Sequence, residues 1–114
     1  MTQPSPRVLS VDVVGHPLDR EPLAADLVRE GDPTAGTTTL DGLGGVEVGL
    51  WEHTPGTSTD TEADEVFVVL TGDATLRFGD GESVELRPGV AVRLHAGEET
   101  TWVVRETLRK IWIA

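Results

Sequence analysis

Few side chains in this sequence carry the chemistry of a reactive or ligating group. There is no cysteine, which removes thiolate nucleophiles, disulfides and zinc–cysteine clusters. The histidines stand far apart, at His16, His53 and His95. One stretch, "TSTDTEADEVFVVLTG" at residues 57–72, runs from hydroxyls through acids to an apolar run closed by glycine. That layout suits a strand that delivers polar groups to an interior, yet it holds no imidazole. Strand alternation decides which of these side chains meet. If Glu65 faces inward, so do Phe67 and Val69. In "GLWEH", Trp51 and His53 share one face and Leu50 and Glu52 the other. Trp buries more area than Leu, so the Trp51 face is expected to point inward. Near the chain end Leu108, Lys110 and Trp112 lie on one face, opposite Arg109, Ile111 and Ile113. A carboxylate enclosed at Glu65 is costly unless it is paired or well hydrogen-bonded, so its partner is the first thing to find.

The elements that would position these groups are short and β-rich. From Thr37 onward the candidate strands are "TTTL", "GVEVGLWEH", "EVFVVLTG", "ATLRF", "ESVEL", "VAVRLH", "TTWVV" and "TLRKIWIA", separated by turn residues every eight to twelve positions. That spacing predicts a sandwich or barrel rather than a parallel α/β sheet. Between "ATLRF" and "ESVEL", Asp80-Gly81 predicts a tight hairpin, because glycine accepts a positive φ without steric penalty. Upstream, residues 1–6 are polar with two prolines and read as a flexible tail, and "RVLSVDVV" reads as a first strand. "LAADLVRE", between prolines and ended by Gly31, is the one plausible short helix. Residues 7–114 are expected to form a single domain.

Composition bounds the partners. The 114 residues are enough for one core without staples. Nine basic against twenty acidic residues give a formal charge of −11, which repels nucleic-acid backbones and anionic membranes alike. No stretch of eighteen apolar residues and no signal-peptide pattern is present, so the expected location is cytoplasmic and the chain is not expected to enter a membrane. The acidic runs lack the regular oxygen spacing of a calcium loop.

The order of motifs resembles that of a cupin, an all-β double-stranded β-helix or jelly-roll barrel, and more closely the ureidoglycine aminohydrolase-type single-domain cupins. The likeness is carried by "EGDP", "GLWEHTPG", "DEVFVVLTG", "DGESVELRPG" and "TWVVRETLRKIWI". The family's first motif sets two histidines, a glutamate and a glycine in order. Glu65 and Gly72 keep the last two positions, while Thr59 and Thr61 fall where histidines are usual. In the second motif Gly89 and Gly97 match, His95 stands at a usual proline and Thr100 at the third histidine. Threonine hydroxyls stay protonated and are poor donors to a first-row metal. The resemblance therefore implies a metal-assisted hydrolase that this chain is not equipped to be, and no cofactor is expected.

Two readings of the interior follow. In the functional one, Glu65, with Lys110 from the family's Arg-Lys pair at 109–110, acts as a base or as an anchor for a small polar metabolite. The pocket would then be lined by Trp51, His53, Thr59, Thr61, Phe67, His95, Thr100 and Trp102. In the plainer one Lys110 reaches solvent, the threonines satisfy Glu65, and the aromatics are core. Two alternatives stand beside them: a metal enzyme with relocated ligands His53, Glu65 and His95, and a filled barrel that serves only to oligomerise. Asp60, Glu62 and Asp64 are expected to point outward. Exposed sheet edges predict a homodimer.

Overall fold

A computed structural model describes residues 4–114. Apart from one 3₁₀ turn at Ala25–Leu27, all its regular structure is β: β1 (Glu21–Pro22), β2 (Val28–Glu30), β3 (Thr34–Leu43), β4 (Val46–His53), β5 (Gly56–Thr61), β6 (Glu65–Phe78), β7 (Ser83–Leu86), β8 (Ala91–Leu94) and β9 (Glu99–Ile113). The expected jelly-roll barrel is what forms, and its organisation follows from two long strands.

β9 pairs antiparallel with β6 along nearly its whole length, from Val66↔Ile113 to Phe78↔Thr100. On its other edge the C-terminal half of β9 takes β4 (Glu52↔Arg109) and the N-terminal half takes β5 (Ser58↔Trp102). β6 divides the same way, its first half holding β8 and its second half β7. The β6–β9 register slips at Val69/Thr71, Thr71/Asp73 and Asp73/Ala74. These irregularities bend the ribbon, so its two ends belong to two facing layers. They also shift the strand's phase. Phe67 and Val69 point into the core before the bend, Ala74 and Leu76 after it. Leu86, Leu94, Trp102, Val104 and Leu108 complete that core.

Several expected elements take a different form. "EVFVVLTG" and "ATLRF" are one strand, as are "TTWVV" and "TLRKIWIA", because the chain bends through bulges instead of turning back. "LAADLVRE" gives only the 3₁₀ turn, after which Val28 and Glu30 pair with β5. So short a segment does not offset the cost of nucleating a helix when a neighbouring strand is available. "RVLSVDVV" is not a strand. It runs in bends and turns, with the Val14 amide donating to the Asp12 carboxylate at 3.1 Å, and Val11 is left exposed. Strand propensity counts only where a partner edge and a packed face exist. The Asp80-Gly81 hairpin forms as expected, with Gly81 at φ +95° and Arg77 opposite Ser83. The flexible tail was expected at residues 1–6, and residues 1–3 lie outside the described part.

The outer face of the β4–β9 layer carries its own buried ion pair. Arg109 lies 3.3 Å from Glu52, and its Nη1 donates to the carbonyls of Val13 (3.0 Å) and His16 (2.7 Å). The amino-terminal segment is thereby tied across the sheet. Arg109 facing outward obliges its neighbour Lys110 to face in.

Candidate functional site

Lys110 is the centre of the inner face. Its residue is 5% exposed, and its Nζ donates to Glu65 Oε2 at 2.6 Å. The same ammonium lies 4.6, 4.4 and 4.9 Å from the ring centroids of Trp51, Phe67 and Trp102. Each ring arrives from a different strand, β4, β6 and β9, and negative ring faces stabilise an enclosed cation. Burial pushes the Lys110 amine below its usual range, and the Glu65 carboxylate opposes that shift.

The pair opens onto a cavity of about 350 Å³, to whose lining Asp60, Glu62, Thr37 and Trp112 also contribute. Glu62 is held firmly. Thr100 Oγ1 donates to its Oε2 at 2.8 Å and Trp102 Nε1 donates to the same oxygen at 3.3 Å. Burial raises the Glu62 carboxyl above its usual range, against the pull of the Thr100 hydroxyl. Trp112 donates from Nε1 to Thr37 Oγ1 at 3.2 Å, which seats it on the cavity wall.

The other expected site residues divide. Trp51, Phe67 and Trp102 are brought together with Glu65 and Lys110, and Thr100 bonds Glu62 and Trp102 beside them. His53 lies behind Trp51, ring centroids 5.5 Å apart, and is fully enclosed. Its Nδ1 donates to the Thr54 carbonyl at 2.6 Å, which leaves Nε2 to accept from Ser58 Oγ at 2.9 Å. Burial lowers its pKa, and both ring nitrogens are engaged within the fold. His95 is exposed and 3.2 Å from Glu98, at a separate depression beside Phe78. Thr59 and Thr61 line another hollow of about 280 Å³ with Arg29 and Phe78.

The placing of β5 corrects the sequence expectation. Ser58 points inward to bond His53, so by alternation Thr59 and Thr61 turn away and Asp60 shares the Ser58 face, where it reaches the cavity rim but stays exposed. Glu62, just past the strand, is half-buried against Thr100 and Trp102. Asp64 does point outward, 3.2 Å from Arg93. Motif spacing had placed the threonines inside and the acids outside. The sequence also singles out position 110: of nine basic residues in the chain only Lys110 is a lysine.

The donor set does not suit the metal that such barrels often hold. Among the described residues no group of three or more His, Asp or Glu is gathered so as to hold an ion, and His53, Glu65 and His95 are not brought together. The one carboxylate at the centre is already bonded to an ammonium. A divalent cation there would meet like charge instead of imidazole nitrogen.

A bent jelly roll of this strand order, with a polar pocket between its layers, defines a cupin. The chain belongs to the EutQ-like cupin domain family, which residues 40–112 match. The ureidoglycine aminohydrolase-type grouping expected from sequence is finer than that match. No curated protein matches the sequence. Among solved structures, the EutQ protein of Clostridium difficile is similar at 22% identity with a TM-score of 0.61, the alignment covering 71% of this chain and 61% of that one. A protein of unknown function from Pseudomonas syringae pv. tomato reaches a TM-score of 0.74 at 20% identity, over 90% of this chain and 45% of its own. One from Rhizobium leguminosarum, also of unknown function, is 28% identical over 69% and 78%, with a TM-score of 0.63. This chain thus spans less than two thirds of the first two.

Proposed function

We propose that this cupin binds a small polar metabolite in the barrel pocket without a metal at the position cupins usually use. The observation that carries the reading is the place of Lys110 Nζ, 2.6 Å from Glu65 and surrounded by three aromatic rings, so that the central carboxylate is engaged by an ammonium. The pocket keeps the mixture of a small-molecule site: aromatic walls at Trp51, Trp102 and Trp112, and fixed polar groups at Glu62, Asp60 and Thr37. Elemental analysis and a thermal-shift screen test it together. The expected result is no stoichiometric transition metal, and at least one polar metabolite that stabilises the protein by about 2.7 kcal/mol at 100 times its Kd. That stabilisation should vanish in Trp51→Ala. One equivalent of tightly held metal, lost in Glu65→Gln, would overturn the reading.

The same proposal includes a second copy of the chain as partner. Val66 and Ile113 are register neighbours on the outer sheet face, 41% and 44% exposed, and Leu43 and Val46 extend the patch beyond them. Apolar side chains grouped in this way favour burial against another surface.

A further inference from the structure

We propose that the pocket takes a small uncharged aldehyde or ketone and holds it covalently, as an imine on Lys110 Nζ. The inference rests on the reading that the pocket binds a small polar molecule, and it names the class of that molecule.

The choice of lysine is the first observation. Every other basic residue of the chain is arginine, including the buried Arg109 next door. Arginine keeps its charge in any protein setting and makes the broader ion pair, so a position that needed only a buried cation had the residue the chain uses elsewhere. An amine differs in that it can lose a proton and become a nucleophile. Lys110 sits where that happens most readily, enclosed, lining a cavity and hydrogen-bonded to a carboxylate that can take the proton. Burial lowers its affinity for that proton.

The groups around it supply the rest. From β6 come Glu65 and Phe67, from β4 Trp51, from β9 Thr100 and Trp102, and from β5 and the residue after it Asp60 and Glu62. Glu62 has no ion-pair partner within 4 Å among the described residues, whereas Glu65 has Lys110. Both donors to Glu62 use Oε2, which leaves Oε1 for a ligand. Burial keeps this carboxyl protonated to higher pH than usual, as an acid needs.

The step balances without an outside oxidant or reductant. Glu65 accepts a proton from the Lys110 ammonium, and the nitrogen lone pair attacks the carbonyl carbon, forming the C–N bond. The carbonyl oxygen takes a proton from Glu62 and becomes a hydroxyl. Nitrogen returns a proton to Glu62, which passes it to the hydroxyl; the C–O bond breaks, water leaves and the C=N bond forms. The ammonium and the carbonyl compound have become a protonated imine and water, with one proton moved from Glu62 to Glu65. The product keeps the single positive charge that the three rings stabilise. With Glu62 protonated, Asp60 and Glu65 still outnumber Lys110 at this site, so a carbonyl compound bearing a carboxylate or phosphate is disfavoured.

The test uses the full chain with propanal or pyruvate at neutral pH, reduction by sodium cyanoborohydride, and peptide mass spectrometry. With one lysine, the N-terminal amine is the internal control. Propanal is expected to label Lys110 about tenfold faster than it labels the same lysine in the guanidinium-unfolded chain, with pyruvate much slower. Glu62→Gln, which keeps the hydrogen bonds to Thr100 and Trp102, should slow labelling by about 100-fold. Lys110→Arg should leave only the N-terminal adduct. An unlabelled Lys110, a rate no greater than in the unfolded chain, or equal labelling by pyruvate would overturn the imine. If labelling fails while polar metabolites still shift the melting temperature of the unmodified protein, only this inference falls. If both fail, the pocket reading falls with it.

Discussion

The pairing of Glu65 with Lys110 is a liability as well as a site. Two charges enclosed in a barrel are tolerated because each neutralises the other and three rings accept the cation, and neither partner is easily spared. Glu65→Leu leaves an ammonium among Trp51, Phe67 and Trp102 with its hydrogen-bond acceptor gone. The expected cost is about 3–5 kcal/mol in urea unfolding. Glu65→Leu combined with Lys110→Met removes both charges and is expected to recover most of that loss, because the apolar walls are already in place. A double variant no more stable than Glu65→Leu would mean that the two side chains do not act as a pair.

At the scale of the strand, the bend in β6 governs which residues reach the interior. Gly72 stands inside it at φ +107°, and a Cβ there would come within 2.4 Å of the Thr107 carbonyl oxygen on β9. Gly72→Ala therefore strains its own backbone and pushes β9 away, and about 2 kcal/mol or more of stability is expected to go, read as a lowered urea midpoint. The bend also marks the limit of what the sequence could tell. Alternation put Phe67 on the face of Glu65 and Trp51 inward, because each lies in an uninterrupted run of one phase; it allowed only one of Arg109 and Lys110 to enter the barrel and left open which. It could not show that β6 continues past Gly72 with its phase shifted, since a bulge is set by the partner strand and leaves little trace in composition. The error at β5 has a different origin. Thr59 and Thr61 were placed by motif spacing, whereas the phase of that strand is fixed by Ser58 reaching His53, a contact between residues five apart that spacing does not encode. Glu62, expected outside for the same reason, is half-buried, whereas Asp60 stays exposed at the cavity rim. The valines before Gly15 had strand-like composition and no edge to join.

For the molecule as a whole, association and assembly are separate questions. If the outer patch pairs with a second copy, sedimentation at micromolar concentration should show a dimer, and Ile113→Lys, which puts a charge beside Val66, should give monomer with the fold intact. A monomer in the unaltered protein would remove that part of the proposal. How the barrel comes together depends on β9. This strand joins β4, β5 and β6, yet it follows all of them in the chain, and Glu52 meets Arg109 only across the intervening fifty-odd residues. During translation the earlier strands must therefore emerge from the ribosome with their bonding edges open, and the barrel closes in one late event when residues 99–113 arrive. A pause over the codons for residues 99–113 would prolong the interval in which the nascent chain is most exposed to chaperones and to its neighbours on the polysome.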